Sequence, residues 1–412
     1  MTDLASEYGI GDDFFDYIEA HKNCDVSKIL LSKKGKNNKF DLKFAALQIE
    51  CRNRITGKLP EITKLKRFLF PSLLSTEQAT CQPVAQFHST LFKEKDDILD
   101  LTAGLGVDDF YIAPNVNTLT AIEIIPMTAT VLEHNMNLYR QNVNVINDDA
   151  YNYLKLAKKQ NLRYDAVFID PARRDKYNKR IFGINDCEPN ILNMLEDIKS
   201  VSDILYVKTS PMIDITQIIS EIPLISDIWI IGVKNECKEL LLRINFLAQQ
   251  KNRIIHTINF YNDSDAWHLE YPMPYDNTPS KYCNKIHDYI YEPNCCIMKA
   301  MAFGELSNRY NSLFKIGKNS HLYTSDELLS TFPGRKFSVI ETIPFKDKYI
   351  KGIDKIYPKA NISTRNFKIS AEEIKRKLKI QDGGDIYIFA TMLNDSIPVL
   401  IISQRAQSFY EK

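Results

Sequence analysis

Between residues 97 and 209 the chain repeats one pattern five times: a short, continuous apolar run, then a longer stretch with helical spacing. The runs are DILDLT (97–102), TLTAIE (118–123), VNVIND (143–148), YDAVFID (164–170) and DILYVKT (203–209). Unbroken rather than alternating apolar residues mark strands buried on both faces, and strands separated by helices pair in parallel. The expected core is therefore α/β, a doubly wound, mostly parallel sheet. DIWIIGV and ELLLRINF follow with only KNECK between them, too short a link for a crossover helix, so this pair is expected to end the sheet as an antiparallel hairpin.

Residues 1–75 have helical spacing, as in DLKFAALQIECRNRI, and predict a small helical domain. STEQATCQPVAQFHSTLF reads as one amphipathic helix opened by a Ser/Thr cap, with Pro83 in its first turns where a missing N–H is tolerated. Residues 261–281 hold three prolines and several Asn and Asp, and read as a connector. A further α+β portion contains the strand-like RKFSVIETIPF, the helix-like SAEEIKRKLK, and the pair DIYIFATM and PVLIISQR. The expected divisions are 1–75, 76–262, 263–330 and 331–412.

The formal net charge is +1, but it is unevenly spread. Residues 28–68 carry twelve Lys or Arg against three acids, and residues 346–379 carry eleven against four. Two basic flanks around a more acidic centre suit a polyanion held at its edges. The eight cysteines contain no C-x-x-C and no histidine at zinc-finger spacing, so scattered free thiols in a cytoplasmic protein, and no metal, are expected. The amino terminus has no charged-then-apolar signal pattern and no run of 18 apolar residues occurs, so no membrane role is expected.

The chemistry concentrates at the strand ends, where open parallel sheets bind ligands. DILDLTAGLGVDDF runs from Asp100 into a turn with Gly104 and Gly106, which lets backbone approach a ligand. A pyrophosphate on the following helix would meet Asp108 and Asp109, which disfavours a dinucleotide and an NAD-dependent oxidoreductase. A ligand without phosphate and with a positive centre fits better, as S-adenosylmethionine does. Glu123 at the second strand end can accept from both ribose hydroxyls; at the third, Asp148 or Asp149 can accept an adenine amino group, with Ala150 leaving room for the ring.

In this ordered set the sequence resembles the class I S-adenosylmethionine-dependent methyltransferases over roughly residues 76–260. DLTAGLGVDD looks like their first motif, AIEI like their ribose-binding acid and NDDA like their adenine segment. The resemblance implies a Rossmann-like seven-stranded core and adds Thr102, Ala103 and Ile124 to the cofactor residues, with Gln78 and Thr80 as a cap over the methionine moiety. YEPNCCIMKA, NSHLYTSDEL, FPGRKF, STRNF and GGDIYIFAT resemble a bacterial subfamily that joins this core to a ferredoxin-like portion and a THUMP-like domain. THUMP-type domains elsewhere bind structured RNA, so RNA is the implied partner, with ribosomal and transfer RNA both open. The rivals are a non-catalytic RNA-binding protein that keeps the cofactor pocket, and a methyltransferase acting on a protein or small molecule.

VFIDPARRD closes the fourth strand with Asp170, expected beside the transferable methyl, and Pro171, which fixes the turn. The segment resembles the D-P-P-x motif of base-modifying enzymes, with Ala172 in place of the second proline and Arg173 in place of the aromatic that stacks a flipped base. Arg173 and Arg174 are candidates for gripping a phosphate or stacking on a base. Lys208, ending the fifth strand, is a candidate to contact substrate phosphate or Asp170. Cys187 is read as an inert thiol rather than a nucleophile.

Overall fold

The five apolar runs form β1 (Asp97–Asp100), β2 (Thr118–Glu123), β3 (Val143–Asn147), β4 (Ala166–Ile169) and β5 (Ile204–Thr209). β1 pairs in parallel with β2 and β4, β2 with β3, and β4 with β5. Every residue of β4 is buried, as its unbroken apolar sequence requires. β6 (Ile225–Val233) and β7 (Glu236–Asn245) continue the order as β3-β2-β1-β4-β5-β7-β6 within a sheet of nine strands, with β7 antiparallel to β5. The chain leaves β1 toward β2 and β3, then returns to the other side of β1 as β4. A crevice therefore opens at the carboxyl ends of β1 and β4, where the strand order reverses.

This computed structural model describes residues 4–31, 39–173, 183–248, 253–262, 266–273 and 280–406. It divides into two units, Met1–Ile228 with Glu239–Lys251, and Trp229–Lys238 with Asn252–Lys412.

In the first unit, short helices precede the sheet and pack around Phe14, Phe44, Ile49 and Leu69. The loop after them is held by side chains that imitate backbone. Gln48 exchanges two hydrogen bonds with Phe70 (2.9 and 2.8 Å), and Asn135 does the same with Leu69 (2.8 and 2.9 Å). Arg52 donates to four carbonyls, those of Thr63, Leu65, Lys66 and Phe68. Part of the amino-terminal basic excess is thus structural. Lys33, Lys34 and Lys36 lie outside the described residues.

The single helix expected from residue 75 onward is two helices, Leu73–Gln78 and Gln82–Ser89. Ser72, not Ser75, caps the first, and Pro83 opens the second. Its missing N–H and its restriction of the preceding residue favour a fresh start over a continued helix.

Gly106 precedes the helix Val107–Ile112 with φ +75°, and a Cβ there would lie 2.1 Å from Leu132 Cδ1 and 2.8 Å from Met136 Cε. Gly106→Ala combines a left-handed backbone with overpacking, so we expect a loss of about 2–4 kcal/mol. A urea-denaturation midpoint unchanged from wild type would refute this.

In the second unit, β8 (Arg253–Phe260) pairs antiparallel with β9 (Ala266–Met273). β9 falls where a connector was expected. Pro272 sits near its end, and the alternation of buried Trp267, Leu269 and Tyr271 with exposed neighbours is the strand signal that the prolines obscured. A seven-stranded sheet follows, from β10 (Tyr289–Pro293), β11 (Phe314–Lys315), β12 (Tyr323–Ser325), β13 (Gly334–Pro344), β14 (Asn361–Arg365), β15 (Ile386–Leu393) and β16 (Ile397–Arg405). Its order is β11-β12-β10-β13-β16-β15-β14, and only β14 and β15 pair in parallel. The helix Ala371–Leu378 starts at a full capping box, Ser370 with Glu373. No helix among the described residues is long and apolar enough to cross a membrane.

Candidate active site

The turn after β1 is built by its own side chains. Asp100 Oδ1 accepts from the Thr102 N–H (2.7 Å), and Thr102 Oγ1 accepts from the Asp170 N–H (2.7 Å), tying the end of β1 to the end of β4. The Ala103 N–H donates to Ile122 O of β2 (2.9 Å). Gly104, at φ +57°, donates to Glu123 Oε2 (2.9 Å), while Glu123 Oε1 accepts from the Ile125 N–H (2.7 Å). Three strand ends are therefore joined through Asp100, Thr102, Gly104, Glu123 and Asp170.

Asp149 caps the helix Ala150–Lys159 by accepting from the Tyr151 and Asn152 N–H groups, and Ala150 is buried behind it. The carboxylate expected to receive an adenine amino group thus also holds the helix start. Ile124 is 60% exposed, an open apolar side chain next to Glu123. Gln78 ends its helix exposed, whereas Thr80 is buried in the site.

Lys208 is the centre of a buried ionic network. Its Nζ donates to Asp170 Oδ2 and to Thr80 Oγ1, each at 2.7 Å, and lies 3.7 Å from Asp108 and 3.8 Å from Glu239. Thr80 passes the interaction on, donating to Asp108 Oδ2 (2.6 Å). His88, fully buried, donates from Nδ1 to Asp108 Oδ1 (2.8 Å) and from Nε2 to Glu239 Oε1 (2.6 Å). Burial opposes the Lys208 charge, but Asp170, Asp108 and Glu239 outweigh it and hold its pKa above the ordinary lysine range. His88 behaves alike: burial lowers it, Glu239 and Asp108 raise it further, and it stands at about 9. Both cations are charged at neutral pH, so neither is a base there.

The two acids of GVDDF do not line an open helix terminus. Asp108 is turned into the network, and Asp109 is fully buried beside Asp100. Burial raises both Asp100 and Asp109; the Asp108 and Asp170 charges add to it at Asp100, which stands at about 7, and the Asp100 charge adds to it at Asp109, so this carboxyl pair holds a proton near neutral pH.

His88 gives a pH prediction. Its folded pKa lies above its unfolded value of about 6.5, so its stabilisation is fully present below that value and is lost as pH rises through about 9. Thermal midpoints measured from pH 6 to 10 should fall for wild type and fall less for His88→Gln. Parallel profiles would sink the assignment.

Pro171 is buried at the turn. Ala172 and Arg173 form a two-residue ladder with Glu188 and Cys187, and Cys187 is buried. The Arg173 side chain and all of Arg174 lie outside the described residues. His88 and Glu239 escaped the sequence reading. Their only signal was a histidine in an amphipathic helix and an acid opening the apolar run ELLLRINF, and neither reveals a partner 151 residues away.

A parallel sheet of this order, with a glycine turn after β1, an acid closing β2 and an acid closing β4, defines the class I methyltransferase architecture that the sequence resembled. Comparisons with known proteins carry this further. The chain matches a solved structure from Porphyromonas gingivalis assigned as a methyltransferase, at 30% identity over 96% of this chain and 98% of the other, with a TM-score of 0.86. The chain belongs to that methyltransferase family. A family model described as a ferredoxin-like domain matches residues 289–333, and one described as THUMP domain-like matches residues 334–405. A curated relative, the ribosomal RNA small subunit methyltransferase J of Acinetobacter baylyi, is 27% identical over 132 residues, 29% of this chain. The match spans 45% of that relative's length.

Proposed function

We propose that this methyltransferase transfers the methyl group of S-adenosylmethionine to a nucleotide of structured RNA. The observation that carries the reading is the Lys208–Asp170 pair at the end of β4, beside the glycine turn of β1. Gly104, Gly106, Glu123, Ile124, Asp149 and Ala150 would hold the cofactor, with Asp100 and Thr102 fixing the turn. Gly104 turns at φ +57° with nothing nearer than 3.9 Å to where a Cβ would sit, and Glu123 offers a buried acceptor. The cofactor would supply an electrophilic methyl on a cationic sulfur.

The protein's part is orientation and field. Lys208 fixes one oxygen of Asp170, and no described residue donates to the other. That oxygen can accept a hydrogen bond from the acceptor's N–H or O–H, align it and take up its proton. Buried and tied to three acids, Lys208 serves Asp170 rather than a substrate phosphate. Arg173 and Arg174 would meet the RNA.

RNA is favoured over a protein or small molecule by the THUMP-like domain and by the substrate named in the curated relative. Lys346, Lys348, Lys351, Lys355 and Lys359 are exposed within the carboxy-terminal basic stretch. The test is transfer of radiolabelled methyl into total RNA from cells lacking the gene, with wild-type RNA as control. Label restricted to the deficient RNA, with affinity falling steeply as salt rises, supports the reading. No label in any RNA while the protein binds the cofactor would overturn the substrate.

A further inference from the structure

Sequence spacing pointed to scattered thiols and no metal, yet the second unit gathers three cysteines. Cys237 lies at the start of β7, and Cys295 and Cys296 open the helix Cys295–Ala300. Their sulfurs all lie within 4.8 Å of one another, and Cys295 Sγ is 3.8 Å from Cys296 Sγ. A d10 cation bonded to thiolates at about 2.3 Å, in tetrahedral or trigonal geometry, requires sulfurs roughly 3.8–4.0 Å apart. The cluster needs adjustments of under about 1 Å to meet that spacing.

We propose that Cys237, Cys295 and Cys296 form a binding site for one thiophilic d10 cation, Zn2+ or Cu+.

The surroundings are arranged to present these sulfurs. The turn before Cys237 has Lys234 and Asn235 at φ +52° and +64°, and Asn235 Oδ1 accepts from the Cys295 N–H (2.8 Å), tying turn to helix. Asn259 Oδ1 accepts from the Asn235 N–H (3.1 Å), and Asn294 accepts from the Cys296 and Ile297 N–H groups. At Gly232 a Cβ would come within 2.7 Å of Cys296 Sγ and 3.0 Å of Cys295 Sγ, so the glycine preserves the space beside the sulfurs. Asn259 Nδ2, on the same asparagine, is buried with no hydrogen-bond partner among the described residues. Cys296 is buried while Cys237 and Cys295 are half-buried, which leaves a route for the ion. Each thiol that ligates releases its proton to solvent. Soft thiolate sets select Zn2+ and Cu+ over harder divalent cations.

The experiment uses the full chain, reduced, chelator-stripped and kept free of oxygen. It is titrated separately with Zn2+ and with Cu+ against a competing chromophoric chelator, followed by X-ray absorption of the loaded protein. We expect one equivalent of at least one of the two cations per chain, with three sulfurs at about 2.3 Å; a fourth, lighter ligand would mark the Zn2+ form. Cys237→Ser should weaken binding at least tenfold, and Cys24→Ser, at an exposed position outside the cluster, should not. Absence of stoichiometric binding of either cation by wild type would overturn the proposal, as would a first shell without three sulfurs. These two readouts hold even if Cys237→Ser fails to fold, and neither depends on methyl transfer.

Discussion

Asp170→Ala is expected to lower methyl transfer by about 10²- to 10⁴-fold, the span associated with losing a group that positions and receives a proton, while leaving the fold in place. The asymmetry follows from the network. Removing Asp170 leaves Lys208 with Thr80, Asp108 and Glu239, so the buried cation keeps its compensation. The Asp170 side chain is itself 43% exposed, so its loss opens no sealed cavity. Stability should change by no more than about 2 kcal/mol, the scale of one charged hydrogen bond. Single-turnover label transfer measured beside urea denaturation separates the two effects. Activity near wild type in a folded Asp170→Ala protein would remove this carboxylate from the mechanism.

Lys208→Met is expected to cost stability as well as activity. The methionine matches the stem in length, but among the described residues Asp108 and Glu239 would then keep only His88 as a counter-charge, and Asp170 would keep none. Breaking a buried pair by deleting one partner costs about 3–5 kcal/mol, because the surviving charges stay desolvated and unpaired. The deficit should shrink as pH falls, since carboxylates raised by the loss of their cation bind protons more readily in the folded state and the penalty is relieved. A urea midpoint equal to wild type at pH 8 would show that the network does not depend on Lys208. The two variants together distinguish a residue that meets substrate from one that acts by positioning it: Asp170→Ala loses turnover alone, Lys208→Met loses both.

The five parallel strands were legible because burial on both faces leaves a local mark, a continuous apolar run of strand length. TLTAIE coincides with β2 from first residue to last. The residues at the strand ends were legible for a related reason: a parallel sheet sends every carboxyl end to the same edge, so Asp100, Glu123, Asp149 and Asp170 can be ordered without coordinates. The break at Ala79–Cys81 and strand β9 were not, since a proline is tolerated in the first turns of one long helix as readily as at the start of a second, and prolines near a strand end look like a connector when read alone.

By itself, the sequence determined the succession of parallel strands, the glycine turn and the acids at the ends of β1 to β4, because periodicity and backbone freedom are properties of neighbouring residues. Only the tertiary structure decided that Lys208, His88, Asp108 and Glu239 neutralise one another, and that Cys237 meets Cys295 and Cys296. Those partners are brought together by strand pairing and helix packing across long stretches of chain. Electrostatic and metal-ligand interactions depend on distance in space, and spacing along the sequence does not encode it.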